Sequence, residues 1–269
     1  MKRILVTPAG RERYLSVLFN NLVKLRPEFD EWHLWLNTED ESDIRFIYSL
    51  SEKNDFIKVI KNEIPVNGSL SIHHFFKHCV DKNSLYLRLD DDIVYIKPGS
   101  IQRVFSERQK NSDSFLLYGN TLNNVLMSYL QRRVGNFDST FHATNYHPLC
   151  DTAWSDGLFA EKIHRLFFRL FDENELERLY IPNWIFFDYE WVSINVICWK
   201  GSDFALFNGI VDPDEERWLT MHKTKELQMP NQIVGDSLFV HYAYYPQRPH
   251  VDRTDILQTY ESVSLKANV

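Results

Sequence analysis

Short apolar runs alternate with longer amphipathic stretches through the first half of the chain, and that alternation predicts strand and helix in turn. Residues 3–7 are rich in branched apolar side chains and run into Pro8-Ala9-Gly10, a strand followed by a turn. Residues 11–25 place Tyr14, Leu15, Leu18, Leu22 and Leu25 at helical spacing, and Pro27 closes the stretch. Residues 32–36 read as a second strand, 44–50 as a helix, 56–60 as a third strand and 71–80 as a helix leading into a strand at 85–89. Strand and helix in this order predict an α/β fold, a mainly parallel twisted sheet with helices on both faces. Ligands of such sheets lie at the carboxyl ends of the strands, where Thr7-Pro8, Asn37-Thr38 and Asp90-Asp91-Asp92 would converge.

Beyond Pro98 the pattern predicts a helix and then a strand at 115–118. Residues 120–150 are polar and aromatic without a period, include His142 and His147, and read as a loop over an acceptor cleft. Residues 156–171 form a clear helix, with Leu158, Phe159, Ile163, Leu166, Phe167, Leu170 and Phe171 in one stripe. Lys162, Arg165 and Arg169 fall on another face, which reads as a solvated basic side or as a docking face for anionic lipid. Trp154-Ser155-Asp156-Gly157 suits a helix N-cap at Asp156, or a floor for a sugar ring.

The composition narrows the class. The chain has 269 residues and 44% hydrophobic content, enough for one sizeable core, with no repeat and no linker-like tract. A net charge of -7 argues against nucleic acid as a partner, which demands a broad basic face. Cys79, Cys150 and Cys198 are scattered, odd in number and without metal spacing, and so read as reduced core thiols of a cytosolic protein. The N-terminus has too short an apolar core for a signal peptide, and no run reaches the roughly 18 to 20 apolar residues of a spanning helix. Peripheral contact with a membrane stays open, as does the oligomeric state.

The most informative stretch is residues 85–96, LYLRLDDDIVYI. An apolar strand ends in Asp90, Asp91 and Asp92 and then resumes as Ile93, Val94, Tyr95 and Ile96. Three adjacent carboxylates repel one another, and dehydrating them requires a counter-charge. A hard divalent cation, Mg2+ or Mn2+, bridging the phosphates of a ligand would supply it. The plainer alternative is a solvated acidic turn, but apolar flanks on both sides pin this one to the edge of a core.

A strand ending in an acidic D-x-D element about a third of the way into the chain resembles the metal-dependent glycosyltransferases of the GT-A fold. The resemblance spans residues 2–241 and implies one domain, 1–269, with a nucleotide-sugar half at 1–119 and an acceptor and catalytic half at 120–269. It implies a nucleotide-sugar donor, UDP-linked in expectation, a glycan or lipid-linked saccharide acceptor, and Mn2+ or Mg2+ on the diphosphate. It makes Asp92 and Asp90 metal ligands, with Asp90 nearer the ribose and Asp91 between them. Thr7, Pro8 and Arg11 would line the nucleotide pocket, Arg11 or Arg13 facing the diphosphate; both arginines could equally open an exposed helix. Asn37 and Asp40 would read the base. Arg88 could pair with the carboxylates or the ribose, or form a structural ion pair.

Two later segments continue the resemblance. Residues 187–195, FDYEWVSIN, look like the family's late acidic motif, a carboxylate at the start of a helix, although Phe187 stands where the first acid is usual. Asp188 is the expected general base of an inverting transfer, with Glu190 as second candidate or acceptor ligand; the alternative is an N-cap and first-turn acid. The strand at 237–245 carries His241, which in the family returns to the metal. Arg248 and His250 would follow as a lid on the phosphates. A nucleotidyltransferase, a metal-dependent phosphohydrolase and a non-catalytic nucleotide- or carbohydrate-binding module are the competing classes.

Overall fold

The computed structural model describes residues 1–142 and 145–266; Ala143 and Thr144, inside the stretch expected to be a loop, lie outside the described residues. Nine strands form one sheet: β1 (Lys2–Ala9), β2 (Glu31–Leu36), β3 (Ile57–Ile60), β4 (Ser84–Leu89), β5 (Ile93–Ile96), β6 (Leu117–Leu122), β7 (Trp184–Phe186), β8 (Val196–Lys200) and β9 (Asn231–His241). Their order is β3-β2-β1-β4-β8-β6-β9-β5, with β7 added on β9. The sheet is parallel from β3 to β4, as the alternation predicts, and β8 then enters antiparallel to β4 and β6. Since β6 and β9 are parallel and β8 opposes both β4 and β6, β9 runs in the direction of β4. The end of β9 therefore meets the end of β4, and His241 pairs across the sheet with Ile93.

The helices are α1 (Glu12–Lys24), α2 (Glu41–Lys53), α3 (Ser100–Lys110), α4 (Val125–Arg133), α5 (Gly157–Asp172), the short α6 (Gly201–Ala205), α7 (Glu215–Arg217), α8 (Thr224–Leu227) and α9 (Arg248–Val251), and α10 (Ile256–Lys266). Successive residues of β1 serve opposite layers: Leu5 joins Leu15, Leu18, Leu22, Val104 and Phe105 on one face, while Ile4 and Val6 join Trp35, Phe76 and Trp199 on the other. A third buried cluster packs α5 and α10 against β5 and β9 around Tyr95, Phe167 and Tyr260. Among the described residues no helix is long and apolar enough to cross a membrane.

Three local expectations are corrected. The helix expected at 71–80 is a 3-10 segment, Gly68–His78. The stretch expected to be an irregular loop holds the end of β6, then α4, whose first amides at Leu126 and Met127 donate to the side chain of Asn124. No helix starts at Asp188: Phe187 and Asp188 form a turn after β7, and residues 189–195 run on without a helix to β8. The N-cap reading of Asp156 holds, its carboxylate accepting from Leu158 N at 2.9 Å and Phe159 N at 3.3 Å.

Candidate active site

The acidic triplet is the tight connection from β4 to β5, closed by the Ile93 amide donating to the Asp90 carbonyl at 3.1 Å. Each carboxylate meets its own set of donors. Asp90 accepts from Arg88 Nε at 3.1 Å and from Asn195 Nδ2 at 3.0 Å. Asp91 takes the forked guanidinium of Arg11 and the Gly10 amide at 3.3 Å, tying the turn after β1 to the turn after β4. Asp92 meets Arg11 at 3.1 Å, Arg248 at 2.9 Å and Nε2 of His241 at 3.6 Å.

Dehydration sets the electrostatics of this cluster. Burial works against the Asp92 anion, yet Arg11, His241 and Arg248 together hold its carboxyl well below the usual range. Burial pushes Asp91 up, against the pull of Arg11. Burial likewise opposes the charges of Arg11 and Arg88, and their carboxylate partners more than restore them.

Arg11, Arg88, Asp90 and Asp91 line a cavity of about 1170 Å3. Pro8, Gly10 and Asn37 form its wall at the ends of β1 and β2, and Gly68, Ser69, Leu70 and Ile72 of the 3-10 segment face them. Asn37 is fixed there by donating to the Gly68 carbonyl at 2.9 Å and accepting from Ser71 Oγ at 2.7 Å. The opposite wall is Ile194, residues 212–216, Tyr245 and Arg248. The carboxyl ends of the parallel strands are thus the floor of the cleft, as the sheet order requires.

Other expected residues lie elsewhere. Thr7 is buried in the sheet and accepts from the Trp32 indole at 2.9 Å. Asp40 caps α2, accepting from Ser42 N at 2.8 Å and Asp43 N at 3.1 Å. Neither is among the cavity-lining residues. Arg13 pairs with Asp252, and His250 pairs with Glu161 at 2.7 Å, away from the acidic turn. Asp188 is exposed on its turn and lies outside the cavity lining. Glu190 is half-buried, and burial together with Asp188 pushes its carboxyl up. Asp92 and His241 are buried behind Arg11 and Arg248.

Four carboxylates in the cavity wall, Asp212, Asp214, Glu215 and Glu216, were not singled out from the sequence. Glu215 accepts from Arg88 Nη1 at 2.7 Å, so one guanidinium joins Asp90 to the wall opposite. Glu216 accepts from the Trp191 indole at 2.7 Å and from the Ile194 amide at 3.2 Å. Burial still pushes its carboxyl up to about 7, with Arg88 pulling down and Glu215 pushing up. The run DPDEER that holds all four acids has the look of a solvated charged turn. Only the fold folds it back onto Trp191.

The residues also bear on a divalent ion. Among the described residues no cluster of three or more His, Cys, Asp or Glu side chains has the geometry to hold one. Asp92 Oδ1 and His241 Nε2 nevertheless face each other at 3.6 Å, and His241 Nδ1 donates to the Asn123 carbonyl at 3.1 Å, which directs Nε2 at Asp92. Two such donors fit an ion that completes its shell with phosphate oxygens and water, as Mg2+ and Mn2+ do, and do not fit one caged by protein alone.

No family model and no curated protein matches this sequence. Solved structures do match in shape. A mannosyltransferase from Pyrobaculum calidifontis, solved with GDP-Man and Mn2+, aligns over 98% of this chain and 74% of its own at TM-score 0.53 and 8% identity. CMP:2-keto-3-deoxy-manno-octonic acid synthetase, solved with CTP, aligns over 97% of this chain and 100% of its own at TM-score 0.52 and 9% identity. S. aureus TarS aligns over 100% of this chain at TM-score 0.50 and 14% identity, this chain spanning 40% of TarS. The neighbours thus include a mannosyltransferase and a synthetase solved with CTP, and what the chain shares with them is the fold, a mixed α/β sheet of the GT-A and nucleotidyltransferase kind.

Proposed function

We propose that the cleft transfers a sugar from a nucleotide-sugar donor, UDP-linked in the first instance, to a hydroxyl of a glycan or lipid-linked saccharide, with inversion at the anomeric carbon. The observation that carries this reading is Glu216, a carboxyl held near neutrality in the same cavity wall that faces the acidic turn and its arginines. Such a group suits a general base, since its proton affinity matches the operating pH.

In this reading the base and ribose lie along Pro8, Asn37, Leu70 and Ile72, with Asp90 at the ribose. The diphosphate lies between Arg11 and Arg248, whose forked donors suit its oxygens. Asp92 and His241 would hold a divalent ion, Mn2+ or Mg2+, which when bound supplies further neutralisation of the leaving diphosphate. An acceptor hydroxyl beside Glu216 gives its proton to that carboxylate while its oxygen bonds to the anomeric carbon. The bond from that carbon to the diphosphate oxygen breaks, and the departing charge meets Arg11 and Arg248. Trp191 and the Ile194 amide orient the carboxylate and leave it lone pairs for the acceptor. Asp188 remains the competing base, and the two candidates are separable by substitution.

The test is product analysis with a panel of UDP- and GDP-sugars and Mn2+. Release of nucleoside diphosphate together with an inverted anomeric proton signal supports the reading. Release of pyrophosphate from CTP or UTP would instead make the protein a nucleotidyltransferase, a class that shares this fold.

A further inference from the structure

A second concavity, of about 600 Å3, lies on the outer side of α5 and shares no lining residue with the cleft. Four cations line it, Lys162, Arg165, Arg169 and Arg178, against one carboxylate, Asp138. That is a net excess of positive charge in one hollow of a chain whose own net charge is -7.

The spacing of the first three cations puts them on successive turns of one helical face. Their present partners leave part of this charge unspent. Arg165 is shared between Glu161 at 3.2 Å and Asp255 at 2.6 Å, and Arg178 pairs with Glu175 at 2.5 Å. Among the described residues Lys162 donates only to the Thr140 carbonyl, with its ammonium 4.5 Å from the centre of the Phe141 ring. Arg169 has no ion pair among the described residues.

We infer that this hollow binds an anionic saccharide, a sugar carrying a phosphate group. Arginine forks and a lysine recognise the phosphate. Asp138 Oδ1 already accepts from Thr140 N at 2.7 Å and Thr140 Oγ1 at 2.5 Å, so its other oxygen is the acceptor for a sugar hydroxyl, and Phe141 adds an apolar wall. The inference is independent of which transfer the cleft performs.

The experiment is calorimetric titration of the whole chain with glucose 6-phosphate, glucose and inorganic phosphate, comparing wild type with Arg169→Glu, Lys162→Gln and the cleft variant Arg11→Ala. The expected result is saturable binding of glucose 6-phosphate, weakened about tenfold or more in Arg169→Glu and less in Lys162→Gln, as loss of charge-assisted hydrogen bonds implies. Affinity is unchanged in Arg11→Ala, and glucose and phosphate alone bind more weakly than their conjugate. Melting curves show whether Arg169→Glu is folded, and Lys162→Gln, which introduces no charge repulsion, carries the test if it is not. Absence of binding to the wild type, binding by both hollow variants as tight as that of the wild type, or loss in a folded Arg11→Ala instead would overturn the inference. So would binding only to vesicles of phosphatidylglycerol, which would make the patch a membrane contact.

Discussion

The Trp191 indole donates to the Glu216 carboxylate at 2.7 Å, and the residue that does so lies on the stretch expected to supply the base. The late acidic segment therefore lines the cleft at Ile194 and holds its wall carboxylate through Trp191, while Asp188 stays on an exposed turn outside the lining.

Glu216→Gln is expected to lower turnover by about a hundredfold or more, the usual scale for losing a general base, with donor affinity nearly unchanged. Asp188→Asn is expected to stay near wild type. Steady-state kinetics on both variants decides between them, and a large loss in Asp188→Asn alone would return the role to that residue.

The pH dependence has a definite sign. The base must be ionised to accept a proton, so the rate should rise with pH through about 7 in the wild type. Stability runs the other way. A carboxyl held at about 7 in the folded chain and near 4.5 when unfolded binds its proton more tightly when folded. Its contribution is fully present below about pH 4.5 and is lost as pH rises through 7. The melting temperature of wild type minus that of Glu216→Gln should therefore fall between pH 5 and pH 8; a flat difference would contradict the assignment.

Asp92→Asn should abolish any gain in UDP affinity that Mn2+ brings, measured by calorimetry. It should also lower stability by roughly 1–3 kcal/mol, because Arg11, Arg248 and His241 lose a buried carboxylate partner. Unchanged UDP affinity in Mn2+ would remove Asp92 from the ion.

Gly119→Ala tests the packing that carries the cleft. A Cβ at this position in β6 would sit 2.5 Å from the Phe239 ring and 2.8 Å from Val196. An overpacking cost of about 1–3 kcal/mol is expected, and thermal melting reads it as a drop of several degrees.

Much of residues 1–119 was legible because the determinants there are local. Ile4, Leu5 and Val6 are buried on both sheet faces and so read as a continuous strand, and the triplet at 90–92 interrupts an apolar run with charge. His241 was expected from the resemblance, and the direction of β9 brings it to 3.6 Å from Asp92. What resisted has signals that are weak or distant. The helix of residues 125–133 is short and begins in a run of asparagines that reads as loop. Thr7 and Asp40 sit at strand and helix ends where polar side chains serve either backbone or ligand, and sequence spacing does not separate the two uses. Glu216 is invisible locally: its partner Trp191 is 25 positions away, and only tertiary folding removes the acid from water.

Arg88 touches Asp90 on one wall of the cleft and Glu215 on the other. A guanidinium in that place is a crossbar, and variants at its two ends will not behave as independent changes. Removing either carboxylate frees the guanidinium to commit to the other, so the losses in Asp90→Asn and Glu215→Gln should sum to something other than the loss in the double variant. Through Arg88 the two walls of the cleft are a single energetic unit, and a change made in one is felt in the other.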